Sequence, residues 1–309
     1  MRYQETWIGG PTGEPFQREC ASRYAPIHAE LERYSRPFTV FDFGANLGYF
    51  SFRIASDFPH ATVVAVDNRA ELPKLAKANG LQNVVVLSRR MTGADLAKLA
   101  QCEVFDVVLA LNVLHHMPDW RVALDAFKDM ARAIIVETPG PGDKGALERG
   151  NHKDIQDAVK SGIEVRRTGS HVTAGAERIM YRVDGTDRKT IAMQTVDAPE
   201  RGAPEVRAQV TLSDSEARIW FARGEERPFV PGINLWNAVK LGMAWPTDAQ
   251  ERVRTEVSRL GNGGRWHDDL RPWNFVLAGN RAVAIDIGNK HWRKEPEPGG
   301  LDKCLQLMG

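Results

Sequence analysis

Three cysteines in 309 residues, Cys20, Cys102 and Cys304, are too few and too widely spaced for a disulfide framework or a metal-ligand pair. No run approaches ~18 apolar residues, which argues against a membrane-spanning helix. The opening residues, Met1-Arg-Tyr-Gln-Glu-Thr-Trp7, hold no apolar signal core. An excess of one charge is also missing. The 41 Lys and Arg residues against 40 Asp and Glu leave +1, which gives no electrostatic case for nucleic acid or an anionic membrane as partner. Arg166 and Arg167 form a local basic pair, readable as a patch or as one solvated strand face. There is no internal repeat and no low-complexity tract. These absences predict a cytoplasmic protein without membrane insertion.

What the sequence does hold is alternation. From Phe38 to Val183, short β-branched runs alternate with amphipathic segments, the pattern of a parallel sheet with helices on both faces. Strands are expected at Phe38–Phe43, Thr62–Val66, Val84–Leu87, Val104–Leu111 and Ala133–Glu137. Helices are expected at Ser22–Tyr34, Tyr49–Ser56, Glu71–Asn79, Ala94–Ala100, Trp120–Met130 and Lys153–Lys160. Two late strands, Ile163–Thr168 and Arg178–Val183, suit an antiparallel hairpin. Composition then turns polar and Gly/Pro-rich, with weak alternation at Thr190–Val196 and Arg207–Leu212. Helices over Pro231–Lys240 and Thr247–Leu260 and a hairpin of Phe275–Leu277 with Ala282–Ile285 complete the reading. The change in composition sets a domain boundary: residues 1–183, then 184–309.

The chemistry begins at Asp42-Phe-Gly-Ala-Asn-Leu-Gly48, a glycine turn between a strand and a helix. Such turns bring backbone N–H groups near a polar or anionic ligand, though the glycines could equally just permit a tight turn. Asp-x-Gly-x-x-x-Gly resembles motif I of class I S-adenosylmethionine (SAM) methyltransferases more than a dinucleotide fingerprint. Asp67 ends the next strand 23 residues beyond Gly44, where an acid can accept both ribose hydroxyls. Its alternative is a surface strand-end aspartate. The segment Val104–Met117 resembles motif IV, a strand emptying into a polar loop that holds Asn112, His115 and His116. Asp42 either orients the turn or meets the methionine amino group, and Asp106 is structural. Either histidine could face the acceptor while the other caps or packs. Candidate cofactor contacts are therefore Asp42, Gly44, Asn46, Gly48, Asp67 and Asn112, with His115 and His116 as candidate catalytic residues. Methyl transfer itself asks for no metal. A hydroxyl or amine acceptor needs a base, for which the histidines serve, whereas a phosphate or carboxylate needs only groups to hold it.

A second set lies near the C-terminus. Trp266-His-Asp-Asp-Leu-Arg-Pro-Trp-Asn274, followed by Ala284-Ile-Asp-Ile-Gly288, resembles a kinase catalytic loop and its metal-binding aspartate. Asp269 would be the base, with Asn274 and Asp286 as metal ligands. The roughly forty residues before Glu226, however, hold no Gly-x-Gly-x-x-Gly, and Lys189 is their only lysine. Only about twenty residues follow Asp286, where a kinase continues with several helices.

Together these motifs resemble the bifunctional methyltransferase–kinases that terminate bacterial O-antigen polysaccharide chains. Tyr3-Gln4, Arg18–Arg23, Leu114–Met117, Arg178–Val183 and Trp266–Asn274 carry the likeness. The resemblance implies a class I SAM methyltransferase: a Rossmann-like, doubly wound α/β sheet with a late antiparallel hairpin, followed by a truncated protein-kinase-like domain. It implies that Tyr3, Gln4 and Arg23 close over the cofactor SAM from the N-terminal side, and that the acceptor is a phosphorylated or plain glycan, or another small molecule. The tail is then an inactive kinase-like domain, a pseudokinase, that binds substrate or a protein partner. Two alternatives stand beside this reading. One is an active bifunctional enzyme that also uses ATP and Mg²⁺; the other is a non-catalytic binding or structural accessory protein.

Overall fold

The computed structural model describes residues 2–35, 37–101, 103–140, 150–170, 174–185, 248–279, 281–285 and 292–308, together with the short stretches 191–194, 206–212, 217–221, 226–228 and 232–235. Two three-residue strands, β1 (Arg2–Gln4) and β2 (Phe16–Arg18), pair in parallel ahead of helix α1 (Ala21–Leu31). There follow β3 (Phe38–Phe43), α2 (Tyr49–Asp57), β4 (Ala61–Asp67), α3 (Glu71–Asn79), β5 (Val84–Ser88), α4 (Gly93–Leu99), β6 (Phe105–Leu111), α5 (Trp120–Met130), β7 (Ala131–Pro139) and α6 (His152–Val159). Strands β8 (Ile163–Gly169) and β9 (Glu177–Asp184) then close a seven-stranded sheet of order β5-β4-β3-β6-β7-β9-β8. The first five strands of that order run parallel; β9 is antiparallel to both β7 and β8.

The reason for this architecture is visible in the strands. Alternate side chains leave opposite faces of a sheet, so a strand buried on both sides must be apolar throughout. Val63 and Ala65 of β4, with Val40 of β3, Leu109 of β6 and Ile135 of β7, pack with α1, α2 and α3. Val64, Val66, Phe41, Val108 and Ile134 point the other way, onto α4, α5 and α6. Helix α4 starts on a capping box in which Thr92 accepts from Asp95 N–H at 3.2 Å and Asp95 accepts from Thr92 N–H at 2.9 Å. Asp106 is fully buried and accepts from the Thr39 backbone at 2.8 Å and its hydroxyl at 3.2 Å, fastening β6 to β3.

Beyond residue 185, strands β10 (Ile191–Gln194), β11 (Val206–Leu212), β12 (Ala217–Phe221) and β13 (Glu226–Pro228) form an antiparallel sheet. Its last two strands had no counterpart in the sequence reading. Next come β14 (Ile233–Asn234), α7 (Ala249–Asn262), β15 (Trp266–His267), β16 (Phe275–Ala278), β17 (Arg281–Ala284), β18 (Trp292–Arg293) and α8 (Gly300–Met308). The hairpin β16–β17 has the expected register, Val276 opposite Val283. Where a helix was expected over Pro231–Lys240, Ile233–Asn234 instead form a strand that pairs Ile233 with Leu277; Leu235 is helical, and positions 231 and 236–240 lie outside the described residues. Thr247, where the helix expected over Thr247–Leu260 was to begin, also lies outside, and α7 has Asp248 at its N-cap. Ile233, Leu235, Val253 and Leu277 share a core with the α4–α5 face of the large sheet. Glu103 anchors the junction by accepting the Asn234 backbone N–H at 2.7 Å.

Cys20 and Cys304 are buried and free, while Cys102 lies outside the described residues. The Arg166–Arg167 pair is not a free basic patch. Arg167 pairs with Glu164 at 2.7 Å and Glu177 at 2.5 Å, and Arg166 donates to Ser22 Oγ at 2.6 Å. No helix among the described residues is long and apolar enough to cross a membrane.

Candidate functional site

Strand order reverses between β3 and β6, and ligands of doubly wound sheets bind in the crevice at the carboxyl ends of strands at such a point. The glycine turn sits there. Gly44 (φ +78°) and Ala45 donate to the Val66 carbonyl at 2.9 and 3.0 Å, and Asn46 (φ +56°) donates to Asp67 Oδ2 at 2.8 Å. Gly48 (φ +79°) donates to the Ala45 carbonyl at 2.9 Å. These four N–H groups bind the turn to itself and to the end of β4, so they are not a donor nest for a ligand. The turn's contribution is close approach rather than anion binding.

Asp67 receives one backbone N–H on each oxygen, from Asn46 on Oδ2 and from Arg69 on Oδ1 at 3.0 Å. A carboxylate has about four lone-pair sites, so acceptor capacity remains on both oxygens. Asp42 is buried beneath the turn and accepts the Ser51 hydroxyl at 2.5 Å. Burial pushes its carboxyl up to about 6, against the lowering effect of that hydroxyl.

Glu137, near the end of β7, was read from sequence only as part of a strand. It is buried and accepts from Arg18 Nη2 at 2.5 Å, from Arg23 Nη2 at 2.5 Å and Nε at 3.1 Å, and from Asn112 Nδ2 at 3.2 Å. Burial alone would raise its carboxyl; the Arg23 and Arg18 guanidiniums outweigh that and hold it at about 2. Arg18 also donates to the Tyr3 hydroxyl at 3.1 Å, and Arg23 lies over the Phe50 ring at 4.8 Å. The N-terminal β1–β2 arm is thereby tied to the rim of the large sheet.

Asn112 follows β6 in a left-handed conformation (φ +57°) and donates its backbone N–H to the Glu137 carbonyl at 2.9 Å. Its Oδ1 is buried without a hydrogen-bond partner. A short 3₁₀ turn, Leu114–His116, then carries both histidines. His115 is buried and His116 exposed, with ring centroids 4.1 Å apart.

These elements enclose a cavity of about 760 Å³. Of the sequence-derived candidates, Tyr3, Gln4, Arg23, Asp42, Gly44, Asn46, Asp67, Asn112, His115 and His116 all line it. Gly48 does not. It opens α2 and lies against Phe52 and Leu72, so its place in the structure is in the packing behind the turn. Arg18 and Arg178 line the cavity too, as do Arg69, Arg89 and Arg90 at the mouths of β4 and β5. The sequence reading gave these five arginines no role, although Arg18 and Arg178 begin segments that carry the family likeness.

At the second set, Asn274 is buried and donates from Nδ2 to both the Asp269 carbonyl (2.8 Å) and Asp269 Oδ2 (2.9 Å). The Asp269 backbone N–H donates to His267 Nδ1 at 3.0 Å. Asp269 and Asn274 therefore share one loop, whereas Asp286 and Lys189 lie outside the described residues. Among the described residues, no group of three or more His, Cys, Asp or Glu side chains is placed to hold a metal ion.

Comparison with known proteins gives one family match and a set of distant structural likenesses. No curated protein matches the chain. Among solved structures, the bifunctional kinase–methyltransferase WbdD is 19% identical, with 96% of this chain covering 82% of that one at a TM-score of 0.47. The N-methyltransferase NodS from Bradyrhizobium japonicum, solved in complex with S-adenosyl-L-homocysteine, is 15% identical over 53% of this chain and 86% of its own, at 0.40. The N-terminal domain of EvdMO1, with the same ligand bound, is 16% identical over 55% and 82%, also at 0.40. Residues 41–133, which run from within β3 into β7, match the family model described as a methyltransferase domain. That match lies within a Rossmann-like α/β fold with a mostly parallel central sheet.

Proposed function

We propose that this chain is a SAM-dependent methyltransferase whose acceptor is a phosphorylated or plain glycan. One observation carries the reading: Asp67, Asn46, Gly44, Asn112 and Arg23, drawn from four separate segments, line one cavity at the reversal point of the sheet. The donor set fits the cofactor. Asp67 has acceptor capacity left for a ribose diol, and the buried, unpartnered Oδ1 of Asn112 fits an ammonium group. Bound SAM supplies an activated methyl on a sulfonium, so the protein's work is to place the acceptor in line and exclude water. For a hydroxyl acceptor, His115 or His116 takes the proton. For a phosphorylated acceptor no base is required. Arg69 and Arg90, which line the cavity and have no ion pair among the described residues, support that choice.

Division of the chain near residue 184 belongs to the same proposal, with 184–309 a kinase-like tail that binds substrate or a partner and does not transfer phosphate. Lys189 as the single lysine of residues 184–227, without a glycine-rich phosphate loop, supports inactivity. One observation favours the bifunctional alternative, in which ATP and Mg²⁺ are bound: Asn274 already orders Asp269. Differential scanning fluorimetry tests the main reading. Saturating S-adenosylhomocysteine should raise Tm by about 3 °C or more through ligand linkage, and an unchanged Tm overturns the reading.

A further inference from the structure

Glu137 is the buried centre of a hydrogen-bond network. Its two oxygens accept four hydrogen bonds, from Arg18, twice from Arg23, and from Asn112. Oε2 takes three of these bonds and Oε1 one, and Glu137 does not itself line the cavity, so whatever it does there it does through those three side chains. They lie 119, 114 and 25 residues from it in sequence and arrive on separate elements: the end of β2, helix α1 and the loop after β6. All three also line the cavity. Two guanidiniums against one carboxylate leave a surplus positive charge in a site shielded from water. Beside it, Asn112 has spent its amide donor on Glu137 and keeps Oδ1 as a buried acceptor without a partner. Surplus cation next to a bare acceptor complements an amino acid's carboxylate and ammonium. Asp67 and Asn46, which would take the ribose, share no hydrogen bond with this network.

Resting on the SAM reading of the cavity, we infer that Glu137 is a positioning residue for the methionine end of the cofactor, setting Arg18, Arg23 and Asn112 as one zwitterion-binding group. Without it, two guanidiniums would repel one another, and the Asn112 amide would be free to flip its oxygen away. A purely structural role, holding the β1–β2 arm to the sheet, would affect every ligand of the cavity alike. The inferred role affects only ligands that carry the amino acid portion.

The test compares two probes by isothermal titration of the full chain: S-adenosylhomocysteine, and 5′-methylthioadenosine, which keeps the adenosine and sulfur but has no amino acid group. In Glu137→Gln, S-adenosylhomocysteine should bind about tenfold or more weakly, from loss of charge-assisted bonds, with 5′-methylthioadenosine within about twofold of wild type. Arg18→Gln, which leaves the Glu137 charge in place, should show the same selectivity and carries the test if Glu137→Gln does not fold. Equal weakening of both probes, or no change in either, overturns the inference while leaving the cofactor reading intact. A wild-type chain that binds neither probe overturns both.

Discussion

Gly44 closes directly against Val113: a Cβ on the glycine would lie 2.8 Å from the valine Cγ2. The turn after β3 and the loop after β6 are thus in contact across the point where the strand order reverses. Val113 separates Asn112 from the 3₁₀ turn that carries both histidines.

A methyl group at position 44 therefore acts on two loops. Gly44→Ala must hold an alanine at φ +78° and displace Val113, moving Asn112 and His115 with it. The expected result is a loss of about tenfold or more in S-adenosylhomocysteine affinity, with a stability loss of about 1–3 kcal/mol. Titration calorimetry and urea unfolding on the same preparation separate the two effects.

Gly48→Ala should behave differently. The added Cβ would lie 2.4 Å from the Phe52 ring and 2.9 Å from Leu72 Cδ1, both fully buried, at φ +79°. Overpacking with a left-handed alanine should cost about 2–4 kcal/mol in urea unfolding, with ligand affinity of the folded protein within about twofold. A large affinity loss at near-normal stability would return Gly48 to the ligand.

Asp42 and Glu137 give stability opposite pH dependences. Asp42 is raised to about 6, so the folded state holds its proton more tightly than the unfolded chain. That group's contribution is therefore lost as pH rises from about 4 to 6, on the order of 3 kcal/mol. Glu137 is held at about 2, so its contribution is present above about 4.5 and lost as pH falls toward 2, again on the order of 3 kcal/mol. Denaturant unfolding of Asp42→Asn should lack the wild-type fall between pH 4 and 6. Glu137→Gln should lack its share of the fall below pH 4.5.

For the tail, titration with ATP and Mg²⁺ should give no binding heat at millimolar nucleotide, and Asp269→Ala should leave S-adenosylhomocysteine affinity unchanged. Nucleotide binding with turnover that Asp269→Ala abolishes would instead establish the bifunctional alternative.

How much of this could be read from the sequence follows from the range of each signal. The five parallel strands declare themselves because a strand buried on both faces needs an unbroken apolar run, as in Thr62-Val-Val-Ala-Val66. The turn at Asp42–Gly48 is legible because left-handed positions call for glycine or asparagine within a few residues. Strands β1 and β2, three residues each, are too short for any period to show. Glu137 is invisible for another reason. Its partners Arg18 and Arg23 lie more than a hundred residues away, and nothing near Val136-Glu-Thr138 distinguishes it from any acid at a strand end. The loss of N–H donors from the glycine turn to Val66 and Asp67 is likewise a tertiary fact, although the residues themselves mark the turn.

The central claim is that the cavity beside Asp67 holds SAM, and calorimetric titration of S-adenosylhomocysteine into wild type and Asp67→Ala tests it most directly. The account predicts a Kd on the order of micromolar for wild type, weakened about a hundredfold by Asp67→Ala, which removes the ribose acceptor and the anchor of Asn46 together. No binding heat from wild type, or equal affinity in the two proteins, would contradict it.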